Sequence, residues 1–233
     1  DVYKRQMLDY FTHERAGKLD WYRNGEPLRE EGYTTHLIAR EACRVIEAGD
    51  GAKPLFLYVP FNGVHSPFQV PEEYLSSYNH LNGSRRKLAG MLSAVDEAIG
   101  QIEASLKKAG LLENTLLIFS SDNGGPHPAD NSPLRDFKGS LYEGGTRAAA
   151  FATWPGRIPA AQRVRHPMHI VDWYPTLIKL AGGSLDQKLP VDGLDVWPML
   201  TMKEPSPHDA ILSVSTRGPS HAALRMGDWK LLL

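Results

Sequence analysis

The sequence predicts an α/β fold with parallel strand pairing, and three observations carry that prediction. Two unbroken apolar runs, residues 55–59 and 116–119, have the length of strands buried on both faces, the usual state inside a parallel sheet. Between them lies the longest helical pattern in the chain. Strand, helix and strand in that order form a crossover unit, which implies parallel pairing and a right-handed connection. Each run also stops abruptly at polar residues, Asn62-Gly63-Val64-His65 after the first and Asp122-Asn123-Gly124-Gly125 after the second. Open α/β sheets hold their ligands just beyond the carboxyl ends of their strands.

At 233 residues the chain can bury a full core, enough for one large domain or a domain with an appendage. Hydrophobic residues make up 42% and charged residues 23%, ordinary for a soluble globular protein. A formal net charge of −1 gives no reason to expect nucleic acid or an anionic membrane as partner. The single cysteine, Cys43, excludes an intrachain disulfide and any multi-cysteine metal site. No apolar run approaches the roughly 20 residues that span a bilayer. The segment Asp1-Val2-Tyr3-Lys4-Arg5-Gln6 has no signal-peptide character and no initiator methionine. The expectation is therefore of a natural chain whose start is missing or has been processed away.

In chain order, residues 1–33 are polar and aromatic without a clean period, with a hairpin predicted at Asn24-Gly25. Thr34 and Thr35 are candidate caps for a helix through Ala48, closed by Gly49. Its apolar stripe is Leu37, Ile38, Ala42, Val45 and Ile46, with Cys43 at the edge as a packed thiol. Pro54 opens the first buried strand. Pro71-Glu72-Glu73-Tyr74-Leu75 starts a short helix, with proline early and acids in the first turn. A long helix runs from about Ser84 to Ala109. Leu88, Met91, Leu92, Val95, Ile99, Ile102 and Leu106 form one face, Lys107 and Lys108 suit its carboxyl end, and Gly110 stops it. After the second buried strand comes a loop from residue 126 to 147, longer than the 12–15 residues beyond which loops in compact domains are usually functional. Residues 148–154 read as a strand. Asp172 is a candidate cap for a helix to about Ala181, with Pro175 tolerated in its first turn. Residues 185–208 are loop-rich. Three short strands follow at residues 211–214, 222–226 and 229–233.

Asp122 and Asn123 offer only oxygen ligands, which suits a hard cation such as Ca²⁺ or Mg²⁺ better than zinc. The same residues are also ordinary turn formers. His13, His36, His80, His166, His169, His208 and His221 read as structural or surface histidines, and a substrate role for His127 stays open. Gly124, Gly125, Gly144 and Gly145 are expected to serve positive-φ conformations, and Glu143 with Arg147 to form a structural ion pair. Asn82-Gly83-Ser84 is a formal glycosylation acceptor.

Three ordered segments resemble the sulfatase family. They are Val64-His65-Ser66-Pro67 with Val70-Pro71-Glu72-Glu73-Tyr74, then Ser121-Asp122-Asn123-Gly124-Gly125, then Pro133 to Gly145. Asp9-Tyr10-Phe11-Thr12-His13-Glu14-Arg15 and Leu224-Arg225-Met226-Gly227-Asp228-Trp229-Lys230-Leu231 also look like that group, whose nearest look is to arylsulfatase B-like, N-acetylgalactosamine-4-sulfatase-like members. The resemblance implies an alkaline-phosphatase-like α/β sandwich, a mixed, mostly parallel sheet between helices followed by a small antiparallel sheet. Residues 1–208 would belong to the first part and 209–233 to the start of the second. It implies hydrolysis of sulfate esters of sulfated carbohydrates or aryl groups, with a bound Ca²⁺ and a formylglycine made within Cys/Ser-x-Pro-x-Arg. Asp122 and Asn123 resemble two calcium ligands, His65 the histidine near the leaving oxygen, and Lys138 the lysine across the sulfate. Periplasmic, secreted or lysosomal location is likewise implied.

The chain also departs from that pattern. No Cys/Ser-x-Pro-x-Arg occurs; Thr153-Trp154-Pro155-Gly156-Arg157 has the spacing but not the modified residue. The family's paired aspartates and its Lys-x-His segment are absent too, and all three would precede Asp9. The expectation is that this chain alone has no sulfatase turnover. Two rival classes share the resemblance: a phosphatase or phosphodiesterase of the wider superfamily, and a non-catalytic binder of sulfated glycans. The former usually carries histidine where Asn123 stands.

Overall fold

The computed structural model describes residues 8–215 and 221–233. The chain forms two compact units, Asp1–Glu113 and Asn114–Leu233.

The first unit opens with two hairpins, β1 (Glu14–Arg15) with β2 (Lys18–Leu19) and β3 (Tyr22–Arg23) with β4 (Glu26–Pro27). Both turn through two residues with positive φ, Ala16-Gly17 and Asn24-Gly25. That geometry matches the right-handed strand twist, so the Asn-Gly prediction holds. Helix α1 (Thr34–Ala48) buries Leu37, Ala42 and Ile46 as the stripe requires. Its cap position is Tyr33, however, and neither threonine makes a side-chain cap. The first-turn amide of Thr34 donates instead to Tyr10 O at 3.0 Å. Helix α2 (Gly83–Lys108) packs Leu88, Met91, Val95 and Leu106 inward, while Leu92 is 56% exposed. The buried line runs instead through Ala94 and Ala98, small residues that let the helix approach its neighbours closely. Tyr10, Tyr33, Met91 and Ala94 form the core, with Val64, Phe68, Val70 and Tyr74 packed against them.

The first predicted strand does not form. Residues 54–61 make no backbone–backbone hydrogen bond among the described residues, and Phe56 and Tyr58 are 81% and 75% exposed. A central strand needs neighbours on both edges and cover on both faces, and no described strand is paired with this run. The expected parallel crossover is therefore not made within the described residues, where every strand pair is antiparallel.

In the second unit β5 (Leu117–Ser120) pairs antiparallel with β6 (Ala150–Thr153), Ser120 opposite Ala150 and Leu117 opposite Thr153. Phe119 stacks on Phe151 across the pair at 4.9 Å. The strand is half-buried rather than buried on both faces. A four-residue helix, α3 (Glu143–Thr146), lies in the long loop between them. Helix α4 (Trp173–Leu180) follows a 3-10 turn, Ile170–Asp172. Asp172 stands at the predicted cap position, but its fully buried carboxylate makes no cap hydrogen bond to the helix and is committed elsewhere. It accepts from His169 N at 2.7 Å, Leu194 N at 2.9 Å and His208 Nε2 at 2.9 Å, tying three loops together. Helix α5 (Trp197–Thr201) buries Met199. The chain ends in the expected antiparallel meander, β7 (Ile211–Val214), β8 (Ala222–Met226) and β9 (Trp229–Leu232). No described helix is long and apolar enough to cross a membrane.

Candidate functional site

In the first unit the candidate residue is His65, on the loop after the unpaired apolar run. Its ring Nδ1 lies 2.8 Å from Ser66 O, an atom that can only accept. Nδ1 therefore carries the proton, and Nε2 is the nitrogen left for other chemistry. The loop is clamped from below by Tyr10, which is wholly buried. Its hydroxyl donates to Asn62 O at 2.7 Å and His65 O at 2.8 Å. Burial, reinforced by Tyr33, pushes the Tyr10 phenol far above its ordinary range, so it remains a donor. Tyr10 is held in turn through Gln69, whose side-chain oxygen accepts from Tyr10 N (2.9 Å) and whose nitrogen donates to Asp9 (2.6 Å). Burial works against the Asp9 carboxylate, but bonds from Gln69, Thr12 and Phe11 outweigh it and hold its pKa down at about 2. Both ends of the Asn62 side-chain amide are buried without a partner among the described residues. Such a group is satisfied by a polar ligand or water.

In the second unit the candidate residues lie on a backbone knot built on glycines. A methyl group on Gly124 would lie 1.8 Å from Gly144 O, and one on Gly144 would lie 2.0 Å from Asp136 O. On Gly145 it would meet Ser140 O at 2.2 Å, and on Gly125 it would meet Ala129 Cβ at 2.4 Å. None of these four glycines has positive φ, contrary to expectation; Gly139 does, at +88°. Their role is close approach of backbone to backbone. Through it Gly124 N donates to Gly145 O (3.0 Å), Gly144 N to Arg135 O (2.8 Å) and Lys138 N to Gly125 O (3.1 Å). Asn131 closes the knot, accepting from Gly125 N at 3.1 Å and donating to Gly125 O at 2.9 Å and Asp136 O at 3.1 Å.

This network brings the backbone of Lys138 to within two residues of Asn123. The Asp122 carboxylate, the Asn123 carboxamide and the Lys138 ammonium have no hydrogen-bond or ion-pair partner among the described residues, so all three are available to a ligand. Asp122 and Asn123 supply two hard oxygen donors, whereas Ca²⁺ takes six to eight. No group of three or more His, Cys, Asp or Glu side chains gathers around a common point among the described residues. The donor chemistry fits calcium, and the set is partial.

Glu143 behaves differently from the prediction. It pairs with Arg225 at 2.8 Å and Lys230 at 3.0 Å, not with Arg147. Lys230 also reaches Thr146 Oγ1 at 3.0 Å. The carboxyl-terminal sheet thus holds α3, and α3 holds the knot. His13, read as structural, is buried against Trp21 and bonded to Gly32 O at 2.9 Å. His127 sits edge-on to Phe137, with ring centroids 6.0 Å apart. The supporting roles of Tyr10, Asn62 and Asn131 have no signal in composition or period. They depend on tertiary contacts, although Tyr10 does lie in one of the segments that carries the resemblance.

The sulfatase family model matches residues 1–184. Mouse arylsulfatase J is 37% identical over 232 residues, covering 95% of this chain and 38% of its own length. Among solved structures, Ps i-CgsB in complex with k-i-k-neocarrahexaose superposes with a TM-score of 0.84 at 36% identity, over 90% of this chain and 48% of that one. An alkaline phosphatase superfamily protein from Vibrio parahaemolyticus shares the fold at 20% identity and a TM-score of 0.59, over 91% of this chain and 47% of that one. The chain spans less than half the length of these relatives. The α/β fold is accordingly alkaline-phosphatase-like, and with the motif order, the glycine knot and the matched residues in agreement, the chain belongs to the sulfatase family.

Proposed function

We propose that the protein carrying this chain is a sulfuric-ester hydrolase that removes sulfate from a sulfated carbohydrate, working outside the cytoplasm or in a lysosome. The observation that carries this reading is the glycine knot, which ties the Asp122-Asn123 turn to the backbone of Lys138 and leaves all three side chains uncommitted. The neocarrahexaose held by Ps i-CgsB supports a sugar substrate.

In this reading Asp122 and Asn123 are two of the ligands to Ca²⁺. When bound, that cation would supply fixed positive charge against the sulfate oxygens. Lys138 places an ammonium on the same anion, stabilising charge that builds on its equatorial oxygens. His65 serves the leaving alcohol. Because Nδ1–H is committed to Ser66 O, Nε2 must itself be protonated to donate to that oxygen, which makes the cationic imidazole the working form. Tyr10 fixes the loop on which that ring sits. The 233-residue chain contains no Cys/Ser-x-Pro-x-Arg, so the family's formylglycine would have to come from sequence outside it, and by itself the chain has no turnover.

The test is sulfate release from a sulfated oligosaccharide by the protein expressed from its full reading frame. His65→Ala and Lys138→Ala should each lower kcat by about 10²- to 10⁴-fold, the range of a positioned acid or an oxyanion donor. Full activity in both variants would sink the assignment. Binding of the glycan without release would favour a non-catalytic receptor instead.

A further inference from the structure

Within the second unit, a cavity of about 510 Å³ opens between the loop that follows β6 and the end of α5. That volume falls in the range of small-molecule and sugar sites. The loop is pinned across it by Gln162 Nε2 donating to Leu200 O at 3.0 Å and Ser206 Oγ donating to Pro167 O at 2.6 Å. The lining includes Arg163, Arg165, His166 and Lys203 against one carboxylate, Glu204. None of these five has a hydrogen-bond or ion-pair partner among the described residues. Three unpaired, exposed permanent cations at one opening give it a local positive potential although the chain's net charge is −1, which favours an anion there. Gln162 also lines the cavity, with Oε1 buried and unpartnered. That atom calls for a donor such as a sugar hydroxyl, which an inorganic anion lacks.

The strand register starts the loop that lines this cavity at the end of the strand pair remote from Asp122. Strand β5 runs toward Asp122 and its antiparallel partner β6 runs back, so residues after Thr153 emerge at the opposite end of the pair. At about 3.3 Å per residue the two ends lie roughly 10 Å apart along the strands.

We propose that the Arg163–Arg165–Lys203 cavity is a second anionic-carbohydrate subsite, holding a sulfated sugar residue remote from the one whose ester is cleaved. This rests on the sulfated-carbohydrate reading above. Arg163 and Arg165 bind the sulfate with forked donors, Lys203 adds a point charge, and Gln162 Oε1 accepts from a ring hydroxyl. The subsite selects polymers over monosaccharides.

The test measures affinity of the protein expressed from its full reading frame for a labelled sulfated-galactan octasaccharide, the same octasaccharide after desulfation, and inorganic sulfate, at two salt concentrations. Wild type should prefer the sulfated octasaccharide over both others by tenfold or more, with binding that weakens as salt rises. Arg163→Ala/Arg165→Ala/Lys203→Ala should lose at least tenfold, and Glu204→Gln should bind at least twofold tighter, a gain that no folding defect produces. Unchanged affinity in the triple variant, with loss in Lys138→Ala, would overturn the subsite while leaving the hydrolase reading intact. Equal affinity for the sulfated and desulfated octasaccharides, or no binding to either, would also overturn it, and sulfate release measured alongside shows whether the hydrolase reading falls with it.

Discussion

Gly144→Ala tests whether the site is held by close backbone approach. The added methyl group would stand 2.0 Å from Asp136 O and 2.4 Å from Arg135 O, where side-chain carbons essentially never come closer than 3.0 Å. The Asp136 carbonyl must therefore retreat by at least 1.0 Å and the Arg135 carbonyl by at least 0.6 Å, the differences between 3.0 Å and those distances. That retreat strains the 2.8 Å bond from Gly144 N to Arg135 O. Overpacking costs about 1–3 kcal/mol and the strained bond up to about 0.5–1.5 kcal/mol, so the substitution should destabilise by about 2–4 kcal/mol. Gly100→Ala is the control. It is exposed in the middle of α2 with nothing within 4 Å of its added methyl group, so alanine should stabilise by about 0.5–1 kcal/mol through helix propensity. Urea unfolding followed by tryptophan fluorescence reads both. With a slope of about 1–3 kcal/mol/M, the first variant should fall by about 1 M or more in midpoint and the second should rise. A Gly144→Ala midpoint equal to wild type would show that the knot tolerates a side chain, and the argument from close approach would fail.

Three other outcomes follow from the same contacts. Tyr10→Phe removes the only donor to His65 O and one of two to Asn62 O among the described residues, which should cost about 1–3 kcal/mol in denaturant unfolding; a neutral result would mean the clamp does not hold the loop. Asp172→Ala strips a buried carboxylate from three donors on separate loops and should cost about 3–5 kcal/mol, a loss readily seen as a lowered Tm. Asp9 is held at about 2 against an ordinary 3.8, so its anion stabilises the fold above pH 4 and that contribution disappears as pH falls from about 4 toward 2. Asp9→Asn should flatten the acid limb of the stability curve in that window, and an unchanged limb would contradict the assignment.

What the residues reveal alone is mostly local. The Asn24-Gly25 hairpin, both long helices and the closing meander follow from turn chemistry and periodicity, which neighbours in sequence determine. The strand predicted at residues 55–59 fails because an apolar run specifies burial without saying what will cover it. Here it finds no partner among the described residues. Asp172 is legible as a cap position, but its side chain leaves the helix uncapped and serves as a hub, since Leu194 and His208 reach it only after folding. The clustered glycines announce a constraint without saying which kind. Only the positions of Arg135, Asp136 and Ser140 reveal that the constraint is space rather than φ. His65, Asp122, Asn123 and Lys138 stand out through motif order, whereas Glu143 finds its partners 82 and 87 residues away, beyond any local pattern.

The proposed preference for sulfate esters and need for calcium are read out together by parallel hydrolysis of matched aryl sulfate and aryl phosphate esters by the protein expressed from its full reading frame, with calcium or zinc supplied. Sulfate release should require calcium and collapse in Asp122→Ala, with phosphate a poor substrate. Preferred phosphate release supported by zinc, or sulfate release indifferent to Asp122, would contradict the proposal.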